Sequence, residues 1–153
     1  MANHDPQAPA YELPDSSALS AAAHAAVNEL HAAQERIGRV MAVVTAAAVR
    51  DILTGCDPDA PFDAAWVEVT ETADGTLFAS GAYWTTAGER RTFVGDLGEA
   101  EGGNGVFDMN EWTPYLDRTT EDVWKAVSER LEDRDGKRVF RIDLAKAAVL
   151  PLD

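Results

Sequence analysis

An α+β fold is predicted by three features of this chain: a long N-terminal helix, a three-stranded antiparallel meander, then a second helix and a fourth strand joining the sheet. An apolar seam with helical spacing persists from Leu19 to Ile52. Segments of alternating polarity follow from Ala64 to Gly95, and a shorter helical pattern precedes a last alternating run at Val139–Leu144.

The first helix is expected to start with Ser16 or Ser17 as N-cap and to end at Leu53, with Gly55 as its stop and Pro58 beyond. Its seam runs Leu19, Ala23, Ala26, Leu30, Ala33, Ile37, Val40 and Val44, then shifts to Ala48 and Ile52, and Gly38 does not break the phase. A helix of about 38 residues is ~57 Å long, against a radius of gyration near 15 Å for a compact domain of this size. The helix is therefore expected to project and, with alanines at 23, 26, 33 and 48 allowing close approach, to pair in a homodimer.

In the meander, Asp74-Gly75 reads as a two-residue hairpin turn and Ala87-Gly88-Glu89 as a three-residue one. That register sets 66 against 83, 67 against 82 and 83 against 93. It places Trp66, Tyr83 and Phe93 in one row beside Glu68, Gly81 and Gly95, and puts Val67, Ala82 and Val94 with Val69, Trp84 and Phe78 on the other face. The third strand is expected over Arg90–Gly95. Residues 96–110, with Gly98, Gly102, Gly103 and Gly105 among carboxylates, read as a mobile acidic loop. Thr113-Pro114 starts a short helical turn. Thr119, paired with Asp122, caps a helix to about Asp133 that buries Val123, Val127 and Leu131 beside Trp124, and Asp135-Gly136 stops it. In the last strand Phe140, Ile142 and Leu144 share one side.

At 153 residues the chain can bury a core without metals or disulfides, and its single cysteine, Cys56, excludes an internal disulfide. Residues 1–14, with Pro6, Pro9 and Pro14, read as a flexible tail and 15–153 as one domain. Met1–Pro14 lacks a basic and apolar leader pattern, and no apolar run approaches the ~18 residues of a membrane span, so a cytoplasmic protein is expected. Basic residues that are mostly arginine, with abundant alanine, suit a high-GC bacterium or a halophile.

The net charge of −14 disfavours direct contact with nucleic acid or an anionic membrane. The charge is uneven: −5 over residues 1–62, −9 over 63–117 and 0 over 118–153. A localised acidic face for a basic partner is expected, with Glu99, Glu101, Asp108 and Glu111 as its binding residues; an inhibitor or nucleic-acid mimic has this character. The alternative is a small enzyme or ligand-binding protein with a pocket between sheet and helix, Trp66, Glu68 and Tyr83 at its mouth.

Other chemistry finds little support. His24, Asn28, His31 and Glu35 share one stripe of the long helix and read as a solvated face; His4 lies in the tail. Asp57, Asp59, Asp63 and Glu68 fit calcium-loop positions, but Pro61 and Phe62 stand where the loop needs a ligand and a glycine. Gly102-Gly103-Asn104-Gly105 lacks the lysine and hydroxyl of a phosphate loop. No nucleophile, zinc or redox motif is present, and Cys56 beside Asp57 and Asp59 is no activated thiolate, so neither enzymatic activity nor a cofactor or metal is expected.

Overall fold

The computed structural model describes residues 7–153, and residues 1–6 of the expected tail, His4 among them, lie outside them. The chain divides into two compact units, Met1–Ala32 and Ala33–Asp153. One helix, α1 (Ser16–Thr54), runs through both. In the first unit Asp15, rather than a serine, starts α1: its carbonyl accepts from Leu19 N–H, and its carboxylate takes the Ser17 hydroxyl and is held below the usual carboxylate range. Every side chain from Ser16 to Ala33 is exposed. At its other end Gly55, at φ 63°, turns the chain out of α1.

The second unit is a five-stranded antiparallel sheet in the order β3-β2-β1-β5-β4, with one face covered by helices. The strands are β1 (Trp66–Glu71), β2 (Leu77–Trp84), β3 (Arg90–Thr92), β4 (Ser128–Arg134) and β5 (Lys137–Asp143). The helices are α2 (Phe93–Leu97), α3 (Glu99–Met109), a 3-10 turn (Thr113–Tyr115), α4 (Glu121–Ala126) and α5 (Leu144–Ala148). Val67, Val69, Tyr83, Phe140 and Ile142 point from the sheet into a core completed by Ala42 and Val49 of α1 with Phe93, Met109, Trp124 and Leu144. Burial of each large side chain there contributes about 1.5–3 kcal/mol. Gly38 is buried because α1 passes close to Thr120 and Val123, where an added Cβ would lie 3.1 Å from each. Among the described residues no helix is long and apolar enough to cross a membrane.

Four expectations are corrected. The segment 96–110 is no loop: Thr92 caps α2 by accepting from Gly95 N–H, and α3 follows at once. Its glycines permit close packing, since a Cβ at Gly102 would lie 2.5 Å from the Phe93 carbonyl oxygen and one at Gly105 2.7 Å from Ile52. The third strand accordingly stops at Thr92. The expected helix over Thr119–Asp133 ends at Ala126, without a side-chain cap, and Ser128–Arg134 forms an edge strand. Asp135 (φ 54°) and Gly136 (φ 73°) are then a two-residue turn joining Arg134 to its partner Lys137, not a helix stop.

The fourth correction is register. The first hairpin loop holds three residues, Ala73-Asp74-Gly75, because Thr72 N–H bonds to the Thr76 carbonyl. Thr70 therefore pairs with Phe78, and after a bulge between Val67 and Val69 Trp66 pairs with Trp84 and Val67 with Tyr83. In the next hairpin Tyr83 pairs with Arg91. The row Trp66–Tyr83–Phe93 does not form: Tyr83 and Phe93 stack at 4.8 Å in the core, and Trp66 lies on the other face.

Candidate acidic groove and the arginine-bound sheet face

Once residues 99–109 are helical, Glu101, Asn104, Gly105, Asp108 and Met109, followed by Trp112, fall on one face of α3 and its extension, at spacings of three and four. This face meets α1 across a groove of about 660 Å³. Val44, Ala47, Ala48 and Ile52 of α1 with Met109 make an apolar floor of mostly short side chains. Asp51, Glu101 and Asp108 stand along the groove with Trp112, and Gly55 and exposed Cys56 lie at the end of α1. Asn110 fixes the far end of α3 to the sheet: its Oδ1 accepts from Ala79 N–H at 2.8 Å and from the Thr113 hydroxyl at 3.0 Å.

The four expected partner-binding carboxylates all lie within this one segment and all are exposed. Glu101 and Asp108 line the groove; Glu99 and Glu111 do not. Among the described residues none of the four takes part in an ion pair. From Thr92 to Asp117 there are six carboxylates and no lysine or arginine, and Phe107 (80%), Tyr115 and Trp112 are exposed in the same stretch. Asp51 is bound to its neighbour Arg50 at 3.0 Å. Asp51, Trp112 and the apolar floor lie outside the residues expected from sequence. The spacing 101, 104, 105, 108, 109, 112 carries the signal, and the glycines among these positions, which favour a loop, hide it.

Trp66, Glu68 and Tyr83 are not brought together. Tyr83 is buried under the helices, where its hydroxyl donates to Asp96, which also accepts from Arg91 at 3.1 Å. Burial, reinforced by the Asp96 carboxylate, pushes the phenol up to about 12. Glu68 and Trp66 lie on the opposite sheet face. There the Glu68 side chain is 0% exposed and accepts from Ser80 at 2.9 Å and Arg90 at 2.7 Å on Oε2. Its Oε1 meets Arg134 at 2.7 Å as an ion pair, off the hydrogen-bonding direction. Burial pushes this carboxyl up, but the hydrogen bonds from Arg90 and Ser80 together with the Arg134 guanidinium outweigh it and hold it below the usual range. Beside it the Arg141 guanidinium lies 4.2 Å from the Trp66 ring centre and 5.2 Å from that of Trp84, and pairs with Glu129 at 2.9 Å. The charged groups of this cluster, Glu68, Arg90, Arg134, Arg141 and Glu129, pair with one another, which makes it a cross-sheet brace.

His24, His31 and Glu35 are exposed on α1, and Asp63 is occupied with the Thr86 N–H and hydroxyl at 2.8 Å, away from buried Glu68. Among the described residues no three His, Cys, Asp or Glu side chains are grouped to hold a metal. Comparison of the chain with protein-family models, curated proteins and solved structures finds no match in any of the three.

Proposed function

We propose that this chain is a non-enzymatic cytoplasmic interaction module that engages a basic protein partner through the acidic surface of residues 92–117. The observation that carries this reading is that, among the described residues, Glu99, Glu101, Asp108 and Glu111 take part in no ion pair and stand beside exposed Phe107, Trp112 and Tyr115. Unpaired carboxylates steer a cationic partner, and aromatic side chains supply contact area once it docks. An inhibitor that imitates nucleic acid in a basic groove is one form such a module takes. Its test is affinity capture and identification of the partner with the wild-type chain and with a Glu99→Gln, Glu101→Gln, Asp108→Asn, Glu111→Gln variant. The expected outcome is loss of the partner from a variant whose circular dichroism is unchanged, and steep weakening of the wild-type complex with added salt. A partner retained at equal affinity overturns the reading.

Self-association of α1 belongs to the same proposal. Residues 16–34 carry one formal charge, Glu29, and expose Leu19, Val27 and Leu30. A solvated helix in so charged a protein is expected to be charge-rich, whereas an apolar, alanine-lined one suits a helix–helix contact. Light scattering at tens of micromolar is expected to give the dimer mass; a monomer mass refutes it.

A further inference from the structure

The geometry of the α1–α3 groove narrows the kind of partner, an inference that rests on the acidic surface being the binding surface. We infer that the groove takes a basic amphipathic helix of the partner protein, about three turns long. The α1 side of the groove starts at Val44 and continues past the end of α1 at Thr54, so its helical part spans ~15 Å, and the other side runs from Glu101 to Trp112. The groove is thus long enough for three turns of helix. Ala47, Ala48 and Gly105 leave room above the floor, and α3 is held in place there because Gly105 sits directly against Ile52.

Charge and polarity fix the character of the occupant. Glu101 and Asp108 are seven residues apart, so they point the same way within ~20° and stand ~10.5 Å apart along α3. Lysines or arginines at i and i+7 of a helix have that same spacing. Asp51 on the α1 side is paired with Arg50, so the free charge of the groove comes from Glu101 and Asp108 on α3. The apolar floor disfavours a wholly polar cation, which would lose hydration without compensation, and the carboxylates disfavour a neutral apolar helix. Trp112, beside the groove, offers a ring face to either the apolar or the cationic part of such a helix.

The test is titration of a 14-residue helical peptide, with a leucine stripe and lysines seven apart, into the full chain, followed by amide chemical shifts and calorimetry. Shifts at Ala47, Ala48 and Gly105 are expected. Glu101→Gln with Asp108→Asn is expected to weaken binding about tenfold. Ala47→Leu, which fills the floor, is expected to weaken it at least as much, while Glu132→Gln, on the edge strand, leaves it within about twofold. If Glu99→Gln with Glu111→Gln weakens binding and neither groove variant does, the acidic surface stands and the groove assignment falls. If a peptide with glutamates in place of the lysines binds equally well, both fall. If the peptide produces no shifts at the groove, or spermidine does so in its place, the helical occupant is overturned.

Discussion

Glu68→Gln tests the brace on the open sheet face. Glu68 lies on the central strand β1, Arg90 on the edge strand β3 and Arg134 at the end of the opposite edge strand β4, so one carboxylate ties both edges to the centre. Glutamine keeps the shape and one acceptor but turns an NH₂ donor toward one of the two guanidinium groups. A charged hydrogen bond is worth about 1.5–3 kcal/mol when both ends are dry. Here the arginines are 43% and 50% exposed and regain water when released, which lowers each contribution to about 1–1.5 kcal/mol. The expected loss is about 2–3 kcal/mol for the pair, or about 4–12 °C in Tm for a chain of this size. Calorimetry and urea unfolding at pH 7 measure it, with Glu129→Gln as the exposed comparison, expected to cost under about 1 kcal/mol. Because Glu68 has a lowered pKa in the folded state, its contribution is complete above the unfolded carboxyl value and is lost as pH falls through the folded value. The gap between wild type and Glu68→Gln therefore closes in acid. A loss below about 0.5 kcal/mol at pH 7, or a gap that does not change between pH 7 and pH 3, refutes the brace.

Tyr83, raised to about 12, favours the folded state below the unfolded phenol value near 10, and that contribution is lost as pH rises from about 10 to 12. Absorbance titration is expected to show one of the three tyrosines ionising late or only with unfolding, and Tyr83→Phe removes that component; three tyrosines ionising together near pH 10 count against it. In α3, Gly103→Ala meets nothing within 4 Å and is expected to stabilise by up to about 1 kcal/mol, while Gly102→Ala collides with the Phe93 backbone and destabilises despite alanine's better helix propensity. Equal melting temperatures for the two variants would refute the packing role given to Gly102.

The long helix was legible because its apolar spacing and Gly55 agree, although Asp15 and not a serine caps it, and β1, β2 and β5 because alternation is strong where one face is buried. The register was not legible, since one more residue in the first hairpin loop moves every side chain of a strand to the other face; Trp66 and Tyr83 were separated by that single residue. β4 was hidden by its position: as an edge strand it needs little apolar surface, and its charges guard the edge while reading as a helix face. The groove was hidden because α3 carries glycines that propensity places in loops but that tertiary contacts with Phe93 and Ile52 require.

The distribution of cations bears on whether the acidity is functional or a diffuse adaptation to salt. All ten arginines are engaged within the chain. Arg36 and Arg39 bond to the Leu152 and Pro151 carbonyls, and Arg118 bonds to that of Ala73. Arg50, Arg90, Arg91, Arg130, Arg134, Arg138 and Arg141 pair with carboxylates. Most of these cations thus serve the sheet and the attachment of the C-terminal segment, and residues 92–117 contain none of them. Diffuse adaptation adds carboxylates wherever the surface is wet, so it predicts unpaired carboxylates on the open sheet face as readily as on α3. That face instead neutralises Glu68 and Glu129 with Arg90, Arg134 and Arg141. Leaving α3 without ion pairs among the described residues while bracing the sheet costs repulsion among neighbouring carboxylates, a cost that the proposed cationic partner would relieve.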